Sequence, residues 1–332
     1  VSATLDPRAI EREIGMIRER ESNPYSSGIK TNLFNLVILA ADEAEVESAG
    51  PGLGHMLGRR PARIITLVGP ADHGGAAGRE QGPRASVSGR CFPGTHSRGV
   101  CFEEIRITAE ASPVDVGAWA PLLIRDIPVY AWLPGLPTPA RLAPVLEAAE
   151  YIDTLIADSS RAATPEEALE ALRGLRRARA AARRSIAVSD LAWSRTLPLR
   201  MQAARSFDPH DQRARLSSIR EVAAGTLAPS EALGLFLWLA SRLGWKRRAG
   251  VPTAGLPPFT DATGEPVTLT ARAASGRAPG EPLSARIRFD DGDDLLLAAA
   301  GPTDGEILLA EVDSLRQDPL LDDALAAAGE PA

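Results

Sequence analysis

The chain has 332 residues, 44% of them hydrophobic and 24% charged, a balance that excludes a disordered, collagenous or heptad-dominated protein and leaves room for about two domains. Its 37 basic and 43 acidic residues give a net charge of −6, which argues against nucleic acid as a partner. The longest apolar runs, at 36–41 and 233–240, fall far short of the ~18 residues of a membrane span, so no membrane partner is expected.

Residues 1–21 are studded with Arg and Glu and have no apolar h-region, which makes a cytoplasmic protein the expectation. The two cysteines, Cys91 and Cys101, form no disulfide framework and agree with a reducing compartment. All but two of the basic residues are Arg, the exceptions being Lys30 and Lys246. That bias reads as genome composition, with Arg replacing Lys at the surface.

Asp6-Pro7 followed by Ile10, Ile14 and Ile17 predicts a docking helix within residues 1–27. Leu33 to Ala41, an acidic stretch, Pro51 to Arg60 and the run Arg63 to Val68 read together as a strand, helix, strand unit. Residues 69–99 are Gly-rich and read as a long excursion, with a short strand at Ala85 to Ser88. A strand is expected at Cys101 to Thr108 and a short helix at Ala118 to Ile124.

From Pro128 the pattern is regular. Strands at Val129 to Leu133, Ile152 to Ala157 and Ile186 to Val188 alternate with helices at Ala140 to Ala149 and Pro165 to Arg184. Such alternation, with connections too long for hairpins, is the sequence form of a parallel sheet. Thr164, Pro165 and Glu167 mark the start of the second helix. A further strand near Leu216 to Val222 and a helix from Ser230 to Leu243, closed by Gly244, extend the pattern. Beyond Gly250 short strands are expected at Val267 to Thr270, Ala285 to Phe289, Leu295 to Leu297 and Glu306 to Ala310, with Asp291-Gly292 as a hairpin turn. The fold class is therefore α/β: a largely parallel sheet with βαβ crossovers over residues 28–245, then a smaller antiparallel, strand-rich region over 246–332 that ends in a short helix.

Common catalytic signatures are absent: no P-loop, G-x-S-x-G elbow, H-E-x-x-H or C-x-x-C occurs. The glycines at 50, 52, 54 and 58 do not make a dinucleotide turn, because Asp42 to Ser48, with four carboxylates, separates them from the preceding strand. His73, Cys91, His96 and Cys101 lack the paired spacing of a zinc knuckle, and no metal is expected. The arginines at 173, 176, 177, 179, 183 and 184 follow one helix, as a solvated face or a docking surface for an acidic partner.

The strongest candidates for a functional surface are Asp158, Ser159 and Ser160. They end a predicted parallel strand just before a capped helix, where open α/β sheets place ligand contacts. Asp190 ends the next strand, followed by Trp193, Arg195 and Arg200. These polar groups could bind a small anion or a partner loop, or could equally be Asx and Ser turns that cap the helices.

Several segments, in order over roughly residues 30 to 325, resemble a known family. They are Thr31-Asn32-Leu33, Arg60-Pro61-Ala62-Arg63, Cys101-Phe102-Glu103-Glu104-Ile105-Arg106-Ile107, and Pro121 to Ile124 running through Asp126-Ile127-Pro128-Val129 to Trp132. Ile156-Ala157-Asp158-Ser159-Ser160, Asp190-Leu191-Ala192-Trp193 with Pro198 and Arg200, and Phe207-Asp208 come next. Trp238-Leu239-Ala240-Ser241-Arg242-Leu243-Gly244-Trp245 and a closing stretch with Asp318-Pro319 complete the set.

The family is that of the glucose-6-phosphate dehydrogenase assembly proteins, OpcA, whose N-terminal region corresponds to about 28–150 and whose C-terminal region starts near 151. The resemblance implies a non-catalytic, cofactor-free subunit that binds glucose-6-phosphate dehydrogenase and promotes its assembly or activity in the oxidative pentose phosphate pathway. It carries over no catalytic residue. Exposed aromatic and Arg anchors are the expected contacts, with Trp132 and Trp193 foremost. The competing reading is a sugar-phosphate-binding α/β enzyme or ligand-sensing subunit that uses the strand-end residues.

Overall fold

The structure is a computed structural model and describes residues 2–4, 6–21, 32–57, 59–69, 83–93, 99–109, 114–248, 258–270, 280–314 and 317–328. In chain order the first half runs β1 (Ser2–Thr4), α1 (Pro7–Glu21), β2 (Phe34–Ala40), α2 (Glu43–Leu57), β3 (Ala62–Val68), β4 (Arg84–Pro93), β5 (Gly99–Thr108), α3 (Val116–Trp119), β6 (Val129–Trp132), α4 (Pro139–Glu147), β7 (Thr154–Ala157), α5 (Pro165–Ala181) and β8 (Ala187–Asp190). The second half runs α6 (Leu191–Arg195), α7 (Leu197–Ser206), α8 (His210–Ala214), β9 (Ile219–Ala224), α9 (Pro229–Leu243), β10 (Lys246–Arg247), β11 (Phe259–Thr260), β12 (Pro266–Thr270), β13 (Leu283–Phe289), β14 (Asp294–Ala299), α10 (Asp304–Asp313) and α11 (Pro319–Ala327).

Two sheets organise these elements. The first has the order β1-β4-β5-β3-β2-β6-β7-β8, and the strands from β5 to β8 are all parallel. Their sequences are near-continuous apolar runs because both faces are covered; every residue of β3 and of β6 is buried. One face packs on α1, α4 and α5 through Ile10, Ile14, Val145, Leu155 and Leu175. The other packs on α2 and α10 through Leu36, Ile64, Met56, Ile307 and Leu308.

The expected docking helix, α1, buries Ile10 and Ile14. It is tied to the sheet by Arg63, which is 4% exposed and donates to Glu11, to Glu103 and to the Leu122 carbonyl. Cys91 and Cys101 are register partners on the antiparallel β4–β5 pair. His73 and His96 lie outside the described residues.

The second sheet has the order β10-β11-β12-β9-β13-β14 and is antiparallel except for the parallel β12–β9 pair. Here the strands alternate buried and exposed residues, because α9 covers one face and the other is open. Gly244 closes α9 with φ 68° and Gly292 turns the β13–β14 hairpin, as expected.

Two expectations are corrected. The strand near 216–222, read as part of the parallel body, is β9 and pairs with β12 and β13 of the second sheet. Its interrupted burial pattern is that of a half-covered strand, a difference that connection length alone does not reveal. The strand expected at Glu306 to Ala310 is instead the middle of α10. Thr303 and Glu306 form a reciprocal capping box at its start, and a T-x-x-E signal before an apolar run starts a helix.

Candidate functional site

The buried run Thr154–Ala157 carries Asp158 to the carboxyl end of β7, and Asp190 ends β8 beside it. Both leave the sheet in extended conformation and cap the helical turns that begin there. Asp158 accepts from the amide and hydroxyl of Ser160, and Asp190 accepts from the amide of Trp193. Ser159 joins the two strand ends, donating its amide to Asp190 Oδ1 and its hydroxyl to Oδ2, both at 2.7 Å. Arg195, from α6, donates to both oxygens of Asp158 at 3.0 and 2.9 Å, and its Nε reaches Asp304 of α10 at 3.0 Å.

The group is interior. Asp158, Ser159, Asp190 and Arg195 are each no more than 5% exposed. Burial pushes the Asp190 carboxyl up to about 6, and the charge of Asp158 adds to the rise. Burial acts on Asp158 in the same sense, but the Arg195 guanidinium overcomes it and holds that carboxyl below the usual range. Arg195 is raised: burial opposes its charge, and Asp158 and Asp304 outweigh the cost. Ser159 and Asp190 have a donor–acceptor arrangement that could activate a hydroxyl, and the Ser159 side chain is fully buried. The strand-end residues therefore form capping turns joined to a buried ion pair.

Of the other candidates, Trp132 and Trp193 are 5% and 3% exposed, so neither is the exposed aromatic anchor expected from sequence. Trp132 packs in the core between the first sheet, α2 and α10, and its indole N–H has no acceptor among the described residues. Trp193 lies in the core of the second sheet and α9 and donates its Nε1 to Asp318 at 2.8 Å. Arg200 stacks its guanidinium 3.6 Å from the centre of the Trp193 ring. The arginine helix is divided: Arg173 and Arg179 hold α11 through the Ala328 carbonyl and Asp322, while Arg177 pairs with Glu170 on its own helix.

A second location is not evident from the sequence. Numbered among themselves, the parallel strands stand in the order 3-2-1-4-5-6 of doubly wound dinucleotide-binding sheets, with the switch point between β2 and β6. Such a sheet would hold a pyrophosphate at the N-terminus of α2, over a glycine-rich turn. The turn here reads Ala41-Asp42-Glu43-Ala44-Glu45. The Glu45 carboxylate itself accepts the Ala41 amide at 2.7 Å and pairs with Arg141 of α4, also at 2.7 Å. Across the crevice it abuts Gly135, where a Cβ would lie 2.1 Å from a Glu45 oxygen and would require the carboxylate to shift. A side-chain carboxylate, its cationic partner and its backbone donor already fill the place of the phosphate, and the residues do not fit a dinucleotide. The sequence signal is the run of acids directly after the first buried strand.

A family model described as the glucose-6-phosphate dehydrogenase subunit N-terminal domain matches residues 55–174, and one described as the C-terminal domain of that subunit matches residues 186–325. An OxPP cycle protein OpcA from Synechocystis sp. is 30% identical over 191 residues, 56% of this chain and 38% of that protein. Its counterpart from Nostoc punctiforme is 30% identical over 199 residues, 57% of this chain and 39% of that one. The chain thus spans about two-fifths of the length of the curated relatives it matches. Among solved structures, a 3-ketoreductase from Actinomadura kijaniata in complex with NADP is 12% identical with a TM-score of 0.46, over 90% of this chain and 95% of that one, too remote to carry an activity across. With both domain models matched in chain order, the chain belongs to the OpcA family of glucose-6-phosphate dehydrogenase subunits.

Proposed function

We propose that the protein is a non-catalytic subunit of glucose-6-phosphate dehydrogenase that acts by binding the dehydrogenase and promoting its assembly or activity in the oxidative pentose phosphate cycle. The observation that carries this reading is the ordered match of both subunit domains along the chain. The chemistry of the described residues supports it: the switch-point crevice is filled by Glu45 and Arg141, and the polar groups at the β7 and β8 ends are engaged with one another. A partner of this kind activates only through its differential affinity for the active form of the enzyme.

The test is to mix the protein with the dehydrogenase of the same organism and to measure complex mass and the rate of NADP reduction. A stable complex with altered oligomer mass or altered kinetics is expected. Absence of a complex together with unchanged kinetics overturns the reading.

A further inference from the structure

Between the β8 edge of the first sheet, α6, α7 and the last two helices lies a half-open cavity of about 420 Å³. Its walls are mostly apolar, formed by Trp193, Leu197, Pro198, Ile307 and Leu321, with Arg200 set into them. Arg200 is 4% exposed, yet no carboxylate among the described residues lies within ion-pair distance of it. Its Nε donates to the Thr196 hydroxyl at 3.2 Å and its Nη2 to the Trp193 carbonyl at 3.1 Å, while Nη1 has no acceptor among the described residues. Burial pulls its pKa down to about 10 and the charge of Asp318 offsets that only in part, so at neutral pH it is a charged group with no carboxylate at contact.

Three carboxylates also line the cavity, and each is engaged with protein donors. Glu306 caps α10 through Thr303, Glu311 accepts from Ser194, and Asp318 accepts from Trp193 and the Leu320 amide. All three are at least partly exposed, so solvent screens them, whereas the guanidinium sits in a low-dielectric wall where an opposite charge at contact has far more effect. Leu197, which lines the cavity, and Met201, one helical turn along α7, are 48% and 46% exposed and form an adjacent apolar pair.

We infer that this cavity is an anchor site for a protein partner, taking a segment that presents a large apolar side chain next to an Asp or Glu whose carboxylate pairs with Arg200. The inference rests on the proposed partnership with the dehydrogenase and names that partner's contact chemistry. An apolar anchor fills the pocket, Leu197 and Met201 are covered around it, and docking puts a carboxylate at contact with the buried cation, which Asp318 serves only at a distance, the arrangement of an interface hot spot.

The test measures the affinity of the full chain for the same-organism dehydrogenase, with melting temperatures alongside, for wild type, Leu197→Asp, Ala310→Phe at the pocket wall, and Arg200→Gln. All three variants should bind at least tenfold more weakly, the first two with native melting. If wild type binds and Leu197→Asp and Ala310→Phe bind equally well, the pocket assignment falls and the partnership stands. If Arg200→Gln alone retains full affinity, the carboxylate pairing falls. Should Arg200→Gln fail to fold, the two surface variants decide. A wild-type chain that does not bind the dehydrogenase overturns both.

Discussion

Asp158 and Arg195 show how one residue pair dominates its surroundings. Both are buried and joined by two hydrogen bonds, so removing one partner strands a charge in the interior. Arg195→Met is expected to cost about 3–5 kcal/mol in urea unfolding, and Arg195→Met combined with Asp158→Leu should recover part of that loss. Asp190 adds a pH dependence of opposite sense to an ordinary paired carboxylate. Its folded pKa of about 6 lies above the unfolded value near 4, so between those values the folded state binds the extra proton. Its contribution is therefore present at low pH and lost as pH rises through about 6, with a slope of at most about 1.4 kcal/mol per pH unit. Asp158, held low, has the opposite dependence: its stabilisation is present above the usual carboxylate range and is lost as pH falls through its lowered folded pKa. Unfolding titrations of wild type and Asp190→Asn between pH 4 and 7 should differ by that slope, and identical slopes would remove Asp190 from the account. The identities of these residues and their places at strand ends are readable from the buried runs before them. Their engagement with one another is not, because Ser159 and Asp190, or Arg195 and Asp304, meet only when separate strands and helices converge.

At the scale of elements, α10 is the piece whose character and position are hardest to read. Its apolar segment is short enough to suit a strand, and the capping box that decides for a helix occupies only two residues. The helix then packs on α2, from the opposite end of the chain, so closely that a Cβ on Gly305 would lie 2.4 Å from the His55 Cβ. Tyr130 of β6 fastens the far end by donating its hydroxyl to the Val312 carbonyl at 2.8 Å. Gly305→Ala is expected to push α10 away from α2 and to cost about 1–3 kcal/mol as overpacking, measurable by thermal or urea unfolding. Unchanged stability would mean that this contact relaxes freely. The helices α4, α5 and α9, by contrast, are legible to within a few residues, since Thr164 and Pro165 mark the start of α5 and Gly244 the end of α9 in local chemistry.

For the whole molecule, the decisive feature is a dinucleotide-type strand order whose switch point, among the described residues, holds the Glu45–Arg141 pair. NADP and glucose 6-phosphate, each at millimolar concentration, are expected to leave the melting temperature of the isolated chain unchanged. A ligand at a hundredfold excess over its Kd would add about 2.7 kcal/mol, an easily visible shift, and such a shift would reopen the ligand-sensing alternative. By itself the sequence determined the alternation of elements, the parallel body, the antiparallel tail, the absence of catalytic signatures and the family, because periodicity, caps and turn residues are local and the family's segments stand in order. Only the tertiary structure decided that β9 leaves the parallel sheet, that Glu45 and Arg141 meet at the switch-point crevice, and that Asp158 is buried against Arg195 and Asp190 against Ser159. Each of those outcomes depends on groups distant in sequence meeting at one place, where burial and pairing set the energy of a charge and no local pattern records its partner.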